Sequence, residues 1–112
     1  MPGRLIEQGN QRLPVNAFVS LKQFGSSRSN RALMYDLSTK GCSLVTNMPL
    51  RTGGKILVRI PGLEFWSATV VWRREEAAGV EFEKPLHPAV VEHYAKFYPA
   101  PEEPVDPPGN SD

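Results

Sequence analysis

The segment at residues 36–41 places several groups that could bind a polar ligand in a short connection between two predicted strands. It reads Asp-Leu-Ser-Thr-Lys-Gly, so Asp36 and Ser38 offer side-chain oxygen atoms and Gly41 offers bare backbone. In a purely structural role, Asp36 and Ser38 would cap backbone N–H groups and Gly41 would supply a positive φ angle. A ligand could share the same groups, and the segment alone leaves both roles open.

The histidines and the cysteine form no recognisable catalytic or metal-binding set. His87 and His93 are the only histidines, and no cysteine or carboxylate cluster lies beside them at the spacing of metal ligands. We expect both to be helix-terminal or surface residues. Cys42 has no base partner that the sequence suggests, so we expect a buried structural thiol. The sequence therefore predicts no metal and no cofactor, and we expect that the protein is not an enzyme.

The composition is typical of a single soluble domain. The chain has 112 residues, of which 40% are hydrophobic and 22% charged. No apolar stretch approaches the roughly 20 residues of a membrane helix, and the N-terminus has no apolar signal segment. A lone cysteine suits a reducing compartment. We therefore expect a cytoplasmic protein without membrane insertion.

Charge is distributed unevenly along the chain. Residues 99–112 carry four acidic residues and no Lys or Arg, which leaves 13 basic residues and 8 of the 12 acidic ones before them, a balance of +5. This balance favours a small anionic ligand or an acidic partner only mildly. It falls short of the clustered basic profile of nucleic-acid-binding proteins, so we expect no DNA or RNA partner.

Turn signals divide the middle of the chain into about six short strands. Residues 24–31 are rich in Gly, Ser and Asn and are predicted to form a polar loop, and Pro61-Gly62 predicts a tight turn. Trp66 and Trp72 lie at even spacing on one strand, so both should face the core. The predicted strands cover residues 15–23, 32–35, 42–46, 55–60, 64–73 and 79–82.

After Pro85 the apolar period becomes helical. Pro88 suits the first turn of a helix over residues 88–98, and Pro99 ends it. We expect its apolar face, with Tyr94 and Phe97, to cover an open end or side of the sheet. Six strands followed by one helix predict a small antiparallel barrel or sandwich closed by a C-terminal helix.

Three segments are predicted along the chain. Residues 1–11 form an N-terminal segment, residues 12–98 the folded domain, and residues 99–112 a tail. The tail is rich in proline and acidic residues, a composition that cannot build a core.

In this order, the segments resemble the PilZ domain family. The residues that carry the resemblance are Arg12 before the first strand, the Asp-x-Ser-x-x-Gly pattern at 36–41, the strand Gly79-Val80-Glu81-Phe82, and the helix that follows. The resemblance covers residues 8–98. It implies a six-stranded antiparallel β-barrel with a C-terminal helix, which binds the bacterial second messenger cyclic di-GMP.

The resemblance also implies which residues form the ligand site: Arg12, Asp36, Ser38 and Gly41. An arginine can bind phosphate or the O6 and N7 edge of guanine bidentately, and a carboxylate can accept from guanine N–H groups. The family's first arginine would fall at Gln8, whose amide brings no charge. Charge-assisted hydrogen bonds contribute roughly 1.5–3 kcal/mol against about 1 for neutral ones, so this substitution would weaken binding.

Two functional hypotheses follow. In the first, the protein binds cyclic di-GMP and relays the signal to a protein partner. In the alternative, a degenerate PilZ-like interaction module binds no nucleotide and acts only through protein contacts. Arg12 and the 36–41 segment favour the first hypothesis, whereas Gln8 favours the alternative.

Overall fold

A computed structural model describes residues 11–101 and shows a closed six-stranded antiparallel barrel followed by one helix. Around the barrel the strands follow the order β1-β2-β3-β6-β5-β4. The elements are β1 (Leu13–Gln23), β2 (Ser29–Leu37), β3 (Gly41–Val45), β4 (Lys55–Arg59), β5 (Phe65–Arg74), β6 (Ala77–Phe82) and α1 (Pro88–Phe97). The predicted architecture is confirmed.

The core lies inside the barrel and follows from the alternation of side chains along each strand. In β1, for example, Val15, Ala17, Val19 and Leu21 are at most 3% exposed, while the residues between them face outwards. Because successive side chains of a strand point to opposite faces, one apolar set per strand fills the interior. The barrel consequently has one interior and leaves its outer surface for ligands and partners.

Two tight turns each contain a glycine with a positive φ angle. Gly62 has a φ of 84°, and Leu63 N donates to Ile60 O at 2.9 Å, so the predicted turn at Pro61-Gly62 is confirmed. Gly53 has a φ of 90° in the turn before β4. Residues with a Cβ rarely adopt this left-handed region.

The polar loop predicted for residues 24–31 is too long. Strand β2 already begins at Ser29, and Ser29, Asn30 and Arg31 pair with Lys22, Leu21 and Ser20 of β1. These residues are polar and exposed, but pairing with β1 satisfies their backbone groups. The hairpin connection is therefore limited to residues 24–28.

Helix α1 covers the end of the barrel where β1 starts and β4 turns into β5. His87 caps its N-terminus by accepting from Ala89 N at 3.0 Å through Nδ1. Val91 and Tyr94 are buried, and the Tyr94 hydroxyl donates to Pro61 O. At the C-terminus, Tyr98 O accepts from Asn16 N at 2.8 Å. The helix is thus capped at its N-terminus and bonded to the barrel through its C-terminal half.

The expected burial of Phe97 is wrong, because its side chain is 60% exposed. Tyr98 stacks on Tyr94 with ring centroids 5.4 Å apart and occupies the position next to the barrel. Phe97 is displaced to the edge of the apolar face, where it contacts His93 at a centroid distance of 4.7 Å. The chain remains paired with the barrel beyond the predicted end of the domain at residue 98, because Pro99 forms an isolated β-bridge with Val15 of β1.

We predict that Tyr94 and Phe97 differ sharply in their contribution to stability. Tyr94→Ala should lower the free energy of unfolding by about 3–5 kcal/mol, because it removes a buried ring. Phe97→Ala should change it by about 0.5 kcal/mol or less, because its ring is largely in water. Urea unfolding followed by circular dichroism would measure both values. Equal destabilisation by the two substitutions would contradict the packing of α1 described above.

Candidate functional site

Arg12 and Asp36 form an ion pair at the end of the barrel. Arg12 Nη1 lies 2.8 Å from Asp36 Oδ1, and the same oxygen accepts from Ser43 N at 2.9 Å. The Arg12 side chain is 47% exposed and the Asp36 side chain 21%. The structure therefore brings together two of the residues predicted from sequence, 24 positions apart, with the guanidinium still accessible to solvent.

A β-bulge at Tyr35 determines which way Asp36 faces. Between β2 and β3, Met34 pairs with Leu44 and Asp36 with Ser43, so β2 contains one extra residue. Met34 points into the core, and strict alternation would point Asp36 there too. The bulge restores the outward direction for Asp36 and returns Leu37 to the interior. Without it, the carboxylate would be buried and unavailable to a ligand.

Ser38 shapes the loop between β2 and β3 through its hydroxyl. Its Oγ accepts from Lys40 N at 3.1 Å and from Gly41 N at 3.2 Å, and lies 3.3 Å from Gly41 O as a donor. The residue is 3% exposed. Ser38 therefore has the structural role considered in the sequence analysis, in which it caps backbone N–H groups. All of these hydrogen bonds of its hydroxyl lie within the loop.

Gly41 is required by a close approach of strands, not by a positive φ angle. The glycines with positive φ among the described residues are Gly25, Gly53 and Gly62. A Cβ built on Gly41 would lie 2.1 Å from Val80 O, far inside van der Waals contact. The expectation of a positive φ at Gly41 is therefore wrong, because β6 passes directly over this position.

The loop is also fastened to the chain segment that leads into α1. Phe82 N donates to Lys40 O at 2.7 Å, and Leu86 N donates to Thr39 O at 2.8 Å. Both bonds use backbone atoms of the loop. A displacement of residues 38–41 would consequently also displace the segment that leads into α1.

An open cleft of about 380 Å³ lies beside the ion pair. Lys40 and Glu81, which the sequence did not single out as ligand contacts, add one positive and one negative charge to it. The lining residues are Arg12, Ser38, Lys40, Val71, Val80 and Glu81. The cleft thus combines two cations and a carboxylate with Ser38 and two valines.

A second bulge brings an aromatic ring to the same outer surface. Val70 pairs with Val80 and Trp72 with Gly79, so Val71 is an extra residue in β5. Trp72 consequently turns outwards and is 37% exposed, whereas Trp66 packs partly against the core. The expectation that both tryptophans face the core is wrong, because the bulge breaks the alternation between them.

The Trp72 indole lies over Gly79, where an added Cβ would be 2.1 Å from Nε1. Gly79 pairs with Ser43, and Ser43 pairs with Asp36, so these four residues form one outward-facing row across four strands. A carboxylate at one end and an indole at the other are separated only by small residues. An even spacing of tryptophans could not reveal this row, because its formation depends on two bulges.

Gln8, the candidate for the missing arginine, lies outside the described residues. Within residues 11–101 no group of three or more His, Cys, Asp or Glu side chains could hold a metal ion. His87 is occupied as the cap of α1. In the same part of the chain, no helix has the length and hydropathy needed to cross a membrane.

Cys42 lies inside the barrel directly below this site. It is fully buried, and the pKa of its thiol is raised to about 12, chiefly by desolvation and secondly by the negative charge of Asp36. The positive charge of Arg12 acts in the opposite direction. A thiol with such a pKa remains protonated at neutral pH and is a poor nucleophile.

The chain is similar to known proteins both in sequence and in fold. A sequence model described as PilZ domain matches residues 8–98. No protein with a curated description matches the chain.

Solved structures share the fold at low sequence identity. The PilZ domain of YcgR from Escherichia coli, solved with c-di-GMP, has a TM-score of 0.58 at 14% identity, covering 79% of this chain and 86% of that one. The PilZ domain of CeSA from a cellulose-synthesizing bacterium has a TM-score of 0.54 at 15% identity, covering 77% and 91%. YcgR from Escherichia coli in complex with c-di-GMP has a TM-score of 0.54 at 17% identity, covering 78% of this chain but only 42% of that longer one.

We predict that burial of Cys42 makes stability fall at alkaline pH. The folded state holds the thiol proton up to about pH 12, whereas an unfolded thiol loses it near its ordinary pKa of 9.0. The unfolded state therefore binds fewer protons between these values, and the free energy of unfolding should decrease as the pH rises above about 9. Urea unfolding at pH 7, 9 and 10 would measure this decrease.

Cys42→Ala is the matched variant, because it removes the titrating group and keeps a small apolar side chain. Its free energy of unfolding should fall less between pH 9 and 10 than that of the wild type. Identical pH dependence in the two proteins, or rapid labelling of the native thiol at pH 8, would show that Cys42 is not buried.

Proposed function

The chain belongs to the PilZ domain family, and we propose that it is a cytoplasmic module that binds cyclic di-GMP and relays this signal to a protein partner. The observation that supports binding most directly is the exposed Arg12 guanidinium, held by Asp36 at the edge of the cleft. We assign the protein a binding role, not a catalytic one.

The proposed ligand matches the chemistry of the cleft and of the outward-facing row. Cyclic di-GMP carries two negative phosphates, for which Arg12 and Lys40 supply charge. Its guanines present N–H donors to the Asp36 carboxylate and flat rings to the Trp72 indole. In this proposal Arg12, Asp36, Lys40 and Trp72 contact the ligand.

Ser38 and Gly41 take a supporting role in the proposed site. The Ser38 hydroxyl already accepts two backbone N–H groups, and Gly41 lies against Val80. Both residues therefore hold the loop in the shape that presents Lys40 to the cleft. Gln8 would add a neutral contact from the segment before Arg12, in place of a charged one.

A second candidate function is a protein-interaction module that binds no nucleotide. Two observations favour it: Gln8 at the position of an arginine, and the pairing of Arg12 with Asp36 within the protein. A ligand would have to compete with that ion pair for the guanidinium. The exposed pair itself contributes only about 0–1 kcal/mol, so the competition is weak.

We predict that Arg12→Ala weakens binding of cyclic di-GMP about tenfold or more, because it removes a charged donor from the cleft. Gln8→Arg should tighten binding by a similar factor through the charge that it adds. Isothermal titration calorimetry would give both affinities. Arg28→Ala, at an exposed arginine of the 24–28 connection, is the control and should bind like the wild type.

The same titrations separate the two candidate functions. A wild type that releases no heat with cyclic di-GMP, together with a Gln8→Arg variant that binds, would favour the interaction module. Equal affinities for the wild type, Arg12→Ala and Gln8→Arg would place the ligand elsewhere on the barrel and contradict the proposed site.

We also predict that Glu81 weakens binding, since its exposed carboxylate faces a doubly negative ligand in the cleft. Glu81→Gln should tighten binding about two- to fivefold at low ionic strength, the effect of one screened surface charge. The gain should shrink at 1 M salt, where the screening length is only about 3 Å. Glu92→Gln, an exposed glutamate of α1, changes the net charge equally and should leave the affinity unchanged. A similar gain from both variants would indicate a long-range charge effect instead.

A further inference from the structure

The outer surface of the β1 and β4 side of the barrel carries several cations and aromatic rings. Glu76 lines a depression at its edge together with Phe18 and Arg31, but the ion pairs of residues 11–101 do not include it. Strands β1, β4 and β5 contain no Asp or Glu. In the register of the sheet, Ser20 pairs with Arg31 on one side and with Arg59 on the other, and Arg59 pairs with Phe65. We call this surface the basic face; it consists of Phe18, Lys22, Arg31, Leu33, Leu57, Arg59 and Phe65.

Each cation of the basic face lies over an aromatic ring. The guanidinium carbon of Arg31 is 4.2 Å from the Phe18 ring centroid. Lys22 Nζ and the Arg59 guanidinium carbon lie 5.2 and 5.7 Å from the Phe65 centroid. These contacts restrict the long side chains and leave their remaining N–H groups directed to solvent. The cations are therefore positioned before any partner binds.

No carboxylate of the described residues neutralises these three cations. The ion pairs within residues 11–101 are Arg12–Asp36 and Lys55–Glu83, and both involve other side chains. The chain as a whole has a net charge of only +1, so the unpaired positive charge here is a local property of this surface. Such a patch attracts an oppositely charged partner and speeds its association.

The basic face lies across the barrel from the cleft. In the closed order β1-β2-β3-β6-β5-β4, strand β1 is opposite β6 and β4 is opposite β3. The cleft is lined by Arg12 before β1, by the loop before β3, and by residues of β5 and β6, and it shares no lining residue with the basic face. A molecule on the basic face would consequently leave the cleft open, and both surfaces could be occupied together.

We propose that the basic face docks an acidic segment of a partner protein. Carboxylates on that segment would pair with Arg31, Arg59 and Lys22. The half-buried Leu33 lies opposite Phe18 and the half-buried Leu57 opposite Lys22, and both would receive apolar side chains of the same segment. The face thus selects a segment that mixes acidic and apolar residues.

The geometry favours a protein over a nucleic acid. Single-stranded nucleic acids bind by stacking their bases on free aromatic rings. Here one face of the Phe18 ring and one face of the Phe65 ring are occupied by the protein's own cations, although Phe18 remains 56% exposed. The half-buried Leu33 and Leu57 offer apolar contacts that suit the side chains of a peptide better than a phosphate backbone.

The test is an NMR titration of the full chain with octaglutamate at low ionic strength, with octalysine as the control peptide. Octaglutamate should shift the amide signals of β1 and β4, and octalysine should not. The triple variant Lys22→Gln, Arg31→Gln, Arg59→Gln should weaken binding about tenfold or more, the combined effect of three surface charge pairs.

A matched triple variant distinguishes the face from net charge. Arg51→Gln, Arg74→Gln, Lys96→Gln removes an equal number of charges from the loop before β4, the end of β5 and α1. It should change the affinity less than about twofold, as expected for distant surface charges. Equal loss in both triple variants, or absence of octaglutamate binding to the wild type, would overturn the proposal. If the first triple variant fails to fold, Arg31→Gln alone should still weaken binding about two- to fivefold.

Two further outcomes would assign the face to another occupant and overturn the proposal. The first is tighter binding of a twelve-nucleotide oligothymidylate than of octaglutamate at the same ionic strength. The second is tighter octaglutamate binding by a full-length variant whose four acidic residues after Pro101 are replaced by amides. That result would show that the chain's own acidic segment competes for the face.

Discussion

The alternation of side chains in a closed barrel is the constraint on which the rest of this structure depends. Six short strands enclose one core, and every second residue of each strand must be apolar and point inwards. A polar side chain at an inward position would be buried without a partner, at a cost of several kcal/mol. A site on such a barrel therefore requires either an outward position or a local break in the alternation.

The two bulges break the alternation of side chains just before Asp36 and Trp72. The extra residues Tyr35 and Val71 reverse the direction of Asp36 and Trp72, which would otherwise point into the core. Both reversed side chains reach the same outward row, across the small residues Ser43 and Gly79. Because each bulge keeps the following residues in register with the core, the barrel presents a carboxylate and an indole on its outer surface without losing its interior packing.

Much of this architecture could be predicted from the sequence, and the exceptions share a cause. The six antiparallel strands, the C-terminal helix and the proximity of Arg12 to Asp36 follow from periodicity, turn residues and the family resemblance. The outward turn of Trp72, the exposure of Phe97 and the strict need for Gly41 do not. Each depends on which residue lies opposite in space: Gly79 under Trp72, Tyr98 beside Tyr94, and Val80 over Gly41. A single sequence reveals the periodicity of its apolar residues, but not which residues of neighbouring elements lie opposite one another.

Register also determines how the site and the basic face could communicate. Loop 38–41 bonds through backbone atoms to Phe82 and Leu86, and α1 begins two residues after Leu86. The far end of α1 is bonded to Asn16 of β1, the central strand of the basic face. A ligand that pulls Arg12 or Lys40 towards the cleft would thus act on both ends of one continuous set of hydrogen bonds. Since a packed barrel resists internal deformation, such a shift would be carried by the helix and by the start of β1, where the chain meets the outside of the fold. The proposed relay from ligand to partner would therefore require no rearrangement of the core, only a change at the surface where α1 and β1 meet.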